Sequence, residues 1–230
     1  MNPLIDQILF TQTNVDSSSL TMHSAILHQF TETGSYRGVV SRAGAVEATF
    51  TLVVDAASAA SQADIDLASL KDRVQGDSCC GGPASATFTV SPKGYAVFHV
   101  SQGSGGYAVH LGKVDAGPQP KAFDTRELRS GDLFTANLLR PGTYAASAKG
   151  EKAHCEITVS YPQPGKTPYP PPSPVRVEYG SKGFKPTHVH LLPTQGMIFE
   201  ICHSGSLKVE LQAADDGPRK LVPTRGKSKK

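Results

Sequence analysis

The turns constrain this chain more than any other feature. Of its 230 residues, 22 are Gly and 17 are Pro. They punctuate a series of short runs in which apolar and polar residues alternate. Such punctuation leaves little room for long helices and favours short strands joined by turns. SYRGVVSR and EATFTLVVD flank Ala43-Gly44-Ala45 and read as a hairpin. Phe50, Leu52 and Val54 then share one face, because side chains alternate along a strand. ATFTV, YAVFHVS and YAVHLGKV follow, separated by Ser91-Pro92-Lys93-Gly94 and by QGSGG. LFTANLL, YAASA and AHCEITVSY continue the series. The expected fold class is all-β, a Greek-key β-sandwich over residues 35–161.

The flanking segments read differently. Asn2 is a good helix cap and Pro3 a good first helical residue. Leu4, Ile5, Ile8 and Leu9 follow at helical spacing, so residues 1–34 are expected to form an arm with a short helix. Within that arm SLTMHSAILHQF fits helical spacing and strand alternation alike. Leu67, Leu70 and Val74 predict a short helix over 63–75, although ADIDLA also alternates.

PQPGKTPYPPPSP at 162–174 has the composition of a stiff, extended linker. Beyond it VRVEY, THVHLL, MIFEICH and LKVELQ give a β-segment over 175–213. It is too short for a core of its own. It is therefore expected to complete the sheet of its own chain or to pair with another copy. Residues 214–230 read as a basic disordered tail. TVSPKGYAVFHVSQGSGGYAVHL and VEYGSKGFKPTHVHLLPTQGMIFEI share a layout, which shared strand-and-turn grammar explains as well as duplication does.

Charge narrows the partners. The net charge is +3, and Arg219, Lys220, Arg225, Lys227, Lys229 and Lys230 of the tail carry much of it. The body is nearly neutral, which argues against nucleic acid as a partner. MNPLIDQILFTQTN has neither a basic start nor an apolar stretch of signal-peptide length, so a cytoplasmic location is expected. No apolar run approaches the roughly 18 residues of a membrane span. Cys79, Cys80, Cys155 and Cys202 form no disulfide framework, and reduced thiols are the simpler expectation. Adjacent Cys79-Cys80 departs from the spacing of zinc and redox pairs.

LLRPGTYAASAKGEKAHCEITV resembles the penultimate hairpin of a cupredoxin-like sandwich, and GFKPTHVHLLPTQGMIFEI resembles that family's early strands. The PG-Tyr run also occurs in immunoglobulin-like sandwiches. The resemblance implies a β-sandwich. Copper-binding members place a Cys soon after this strand, then a His and a Met. Here Ala145, Ala146 and Ser147 stand where the thiolate belongs, His154-Cys155 comes in reverse order, and no Met follows. The loop cannot supply a blue-copper site. Pro141-Gly142 is instead expected to turn the chain, with Tyr144 packing beneath.

One histidine group offers metal chemistry. His188 and His190 are two apart and share a strand face. A hairpin through Pro193–Gly196 would bring His203 diagonal to His188. Three imidazoles there could hold zinc or copper, with Met197 or Cys202 as outside candidates. The same residues also fit a half-exposed sheet face without metal. There is no Gly-x-Ser-x-Gly elbow, phosphate loop or calcium loop, and no cofactor is implied. The expected role is a non-enzymatic structural or protein-interaction module. It would be an accessory subunit that binds itself or other proteins through exposed strands and terminal arms. A small metal-binding or electron-transfer protein is the alternative.

Overall fold

The computed structural model describes residues 11–71, 86–114, 121–161 and 172–215. The chain is all-β, and its strands form two successive runs. The first contains β1 (Val15–Asp16), β2 (Ser24–Gln29), β3 (Gly34–Arg42), β4 (Ala45–Val54), β5 (Gln62–Asp66), β6 (Ala86–Val90), β7 (Tyr95–His99) and β8 (Tyr107–Lys113). The second contains β9 (Lys121–Asp124), β10 (Leu133–Asn137), β11 (Gly142–Ala148), β12 (His154–Val159), β13 (Val175–Gly180), β14 (Gly183–Lys185), β15 (His188–Leu191), β16 (Gly196–Ile201) and β17 (Leu207–Ala214).

These strands build three sheets. Two are five-stranded, ordered β6-β4-β3-β8-β9 and β1-β17-β11-β12-β15. The third has seven strands, ordered β14-β13-β16-β10-β2-β7-β5, and runs through both halves of the molecule. Its inner face and those of the five-stranded sheets enclose one core. Phe98 and Phe123 stack there at 4.9 Å, and Phe134 and Phe199 at 5.9 Å.

The winding differs from the Greek key expected from the sequence. From β4 to β8 the chain alternates between sheets, strand by strand. Four pairs of strands a full turn apart then lie parallel: β4 with β6, β5 with β7, β12 with β15, β13 with β16. A Greek key joins antiparallel neighbours. Parallel neighbours need a crossover, and here a strand of the opposite sheet supplies it. This is the coil of a β-solenoid.

The two runs repeat one design, at constant spacing through their opening strands. Val15-Asp16 corresponds to Phe123-Asp124, Leu20 to Leu128, Ile26 to Phe134, and Gly34-Ser35-Tyr36 to Gly142-Thr143-Tyr144. Gly34 and Gly142 both take positive φ, 139° and 151°, where the chain turns from one sheet to the next. Tyr36 and Tyr144 are both buried, and each donates its hydroxyl to a carbonyl four residues back, Glu32 at 2.8 Å and Arg140 at 2.7 Å. Lys93 and Thr194 both have φ of 69°. The internal echo is therefore real, but SPKG matches LPTQ at 192–195 rather than the SKGF turn.

The halves are locked by exchange. Each run's opening strand pairs with the other run's last strand, β1 on β17 and β9 on β8. The hydroxyl of Ser17 accepts the Leu207 N–H at 3.1 Å, and that of Thr125 accepts the Val109 N–H at 3.1 Å. Between them β2 and β10 pair antiparallel, with Ile26 opposite its own counterpart Phe134. A local twofold axis passes through that pair.

Several expectations are corrected. Of the helix expected over 63–75, residues 62–66 follow the alternating ADIDLA pattern as strand β5, burying Ala63 and Ile65, and 72–75 lie outside the described residues. The segment expected as an arm contributes β1 and β2 and buries Leu20, Ile26 and Phe30. The residues beyond the proline-rich stretch pair within the chain, β13 to β10's neighbour β16 and β17 to β11. The expected helix at 2–9, the Cys79-Cys80 loop, 162–171 of the linker and the tail from 216 lie outside the described residues.

Candidate functional site

The histidine face does not assemble as the sequence reading required. His188 and His190 do share the exposed face of β15. However, β15 and β16 form no hairpin. β15 pairs with β12 in a five-stranded sheet, while β16 pairs with β10 and β13 in the seven-stranded one. His203, just past β16, is exposed and lies edge-on to Tyr179, 6.2 Å between ring centres. The turn at Pro193–Gly196 thus crosses between sheets and separates His203 from the other two. His188 Nδ1 lies 3.1 Å from the Thr187 hydroxyl, and Met197 is fully buried. Among the described residues no three His, Cys, Asp or Glu side chains cluster for a metal.

RPGTY at 140–144 carries the chain from the seven-stranded sheet into β11, so Pro141-Gly142 turns the chain between sheets and does not make a hairpin. β11 then pairs with β12, and buried Tyr144 donates its hydroxyl to the Arg140 carbonyl. Cys155 faces the core, and burial, reinforced by Glu156, pushes its thiol up to about 11. Such a thiol is inert at neutral pH. Cys202 is exposed.

Two features outside those readings offer chemistry. The first is a free edge. Among the described residues β6 has a neighbour on one side only, β4. Its sequence, ATFTV, carries no charge and no proline; Thr87 and Thr89 are exposed while Phe88 packs partly on the core. Of the other edges β15 has four residues, with His188 and His190 exposed, and the rest are charged, short or run into proline. β5 carries Asp64 and Asp66, β9 carries Lys121 and Asp124, β14 runs into Pro186, and β1 has two residues.

The second is a cavity of about 380 Å³ at one end of the β2–β10 seam. His28, Phe30, Glu32, Tyr36, Lys113, Lys121 and Arg129 are among the residues lining it. The Asp132 carboxylate, its side chain 2% exposed, accepts the His28 Nδ1–H at 2.5 Å. It also accepts the Arg129 backbone N–H at 2.7 Å. The imidazole sits between Phe30 and Phe123, 4.5 and 4.6 Å away. Lys113 pairs with Glu32 at 3.0 Å and Lys121 with Asp124 at 2.9 Å. Burial raises the Tyr36 phenol above its ordinary value, opposed by Lys113 and aided by Glu32.

No spacing in the sequence joins His28 to Asp132. Aligning TGSY with PGTY sets His28 against Ala136 and Asp132 against Ser24, which marks both positions as differing between the runs but does not join them. No protein-family model, no curated protein and no solved structure matches this chain.

Proposed function

We propose that the protein is a non-enzymatic interaction module that joins edge to edge with a second copy of itself and serves as an accessory subunit of a larger assembly. The observation carrying this reading is the β2–β10 seam, where two equivalent strands pair about a local twofold. The unit already associates with its like by strand pairing, inside one chain. The uncharged β6 edge offers the same chemistry to another molecule. Natural edges are usually protected by charge, proline or cover, and β6 has neither charge nor proline. A strand added there gains main-chain hydrogen bonds, and alternate side chains such as Thr87 and Thr89 set the fit.

Light scattering across a concentration series tests this. The wild-type chain is expected to dimerise. Thr87→Lys with Thr89→Lys should yield a monomer of unchanged circular dichroism, since both side chains are exposed. A wild-type chain that stays monomeric throughout, or a dimer indifferent to both lysines, would refute the reading.

A further inference from the structure

We propose that the cavity beside His28 is a binding site for a small organic carboxylate, with the anion held by Lys113, Lys121, Arg129 and His28 and its apolar body against Phe30 and Tyr36. This goes beyond the edge-pairing role and does not depend on it.

The argument rests on the chain's internal duplication. The two runs solve the same structural problem twice, at two ends of one seam. At one end His28 meets Asp132; at the other, the equivalent positions are Ala136 and Ser24, which pair in register. The backbone task is the same at both ends. The Ser24 hydroxyl accepts the Thr21 N–H at 3.0 Å, as Asp132 accepts that of Arg129. A hydroxyl is therefore enough for the turn, and a methyl group is enough at the His28 position. The fold requires neither the imidazole nor the carboxylate.

Burying a carboxylate is costly unless it is paired, and the other end shows that this fold can avoid the cost. The cations follow the same division. Lys113 corresponds to Leu211 and Arg129 to Thr21, whereas the framework tyrosine is kept as Tyr36 and Tyr144. The His28–Asp132 pair and the cations Lys113, Lys121 and Arg129 thus gather around one cavity, whereas the other end has the Ser24–Ala136 pair, with buried His23 beside it and Arg140 in the place of Glu32.

The lining suits an anion. Three cations face it, against one lining acid, Glu32. Asp124 and Asp132 stand behind, already engaged with Lys121 and His28. The Glu32 side chain is 74% exposed, so its pair with Lys113 is weak and can yield to a ligand. Asp132 fixes the lining imidazole through Nδ1, the role a second group plays for many functional histidines. Phe30 and Tyr36, 4.9 Å apart, form an apolar wall beside the charges.

The test is nuclear magnetic resonance of the imidazole nitrogens on the full chain, titrated with benzoate, inorganic phosphate and benzamidine. Benzoate is expected to shift the His28 signals saturably, and phosphate or benzamidine to do so far less. Arg129→Ala and Lys121→Ala should each weaken benzoate about tenfold. His28→Ala with Asp132→Ser copies the pair at the other end of the seam. That variant should unfold as cooperatively as the wild type and bind no benzoate. Unmoved His28 signals, equal binding of benzamidine or phosphate, or undiminished affinity in these variants would each overturn the proposal. Loss of cooperative unfolding in the double variant would also overturn it, since the pair would then belong to the scaffold.

Discussion

At the scale of single residues, the two runs trade volume across matched positions. Gly38 lies opposite Phe50, and the equivalent pair is Ala146 opposite Cys155. A Cβ on Gly38 would sit inside the Phe50 ring. Where the partner shrinks to cysteine, the glycine becomes alanine. Core packing at this density makes such exchanges obligatory. Gly38→Ala should therefore cost about 1–3 kcal/mol, the usual penalty of overpacking, as read from denaturant unfolding. A neutral result would mean the Phe50 ring has room to retreat. The sequence made the inward face of Phe50, Leu52 and Val54 plain through alternation. It could not reveal why residue 38 is glycine, because the reason is a ring on the neighbouring strand. Nor could it join His28 to Asp132, which meet only because β2 and β10 share a seam.

At the scale of elements, hairpins were legible and sheet membership was not. The β3–β4 hairpin formed where Ala43-Gly44-Ala45 predicted it, whereas Pro141-Gly142 leads between sheets and β11 meets β12 beyond Lys149-Gly150. β15 and β16 have equally good turn chemistry between them, yet they enter different sheets. Turn residues fix that a chain reverses or changes direction, not which sheet receives it. β5 shows how a short element is secured. Burial alone would raise the Asp66 carboxyl, but hydrogen bonds from Ser101 and the Ala68 N–H outweigh it and hold it below its ordinary value. The Ser101 hydroxyl lies 2.6 Å away. Because the folded value is depressed, this contribution is complete above the ordinary carboxylate value and is lost as pH falls through the folded one. The melting temperature of the wild type should exceed that of Asp66→Asn at about pH 6, with the gap closing toward about pH 3. A gap that stays constant over that range would assign the difference to something other than the charge.

At the scale of the whole molecule, the all-β class was legible from punctuation and alternation alone. The winding was not, because a parallel coil and a Greek key present the same strand-and-turn rhythm. The duplication left a trace in TGSY and PGTY, hidden by the divergence of everything around them. Neither half owns a complete set of strands: β1 lies on β17 and β9 on β8, and the seven-stranded sheet crosses the seam. Calorimetry should therefore give a single unfolding transition rather than one for each run. Two resolved transitions would show that the seam is a soft joint. The reciprocal exchange also sets an order in time. During synthesis the chain leaves the ribosome from its N-terminus at roughly 5–20 residues per second. Val15 must wait for Val209, its partner almost a chain length away. The earliest strand to emerge is among the last to be satisfied, and until then the nascent first half carries an unclaimed strand.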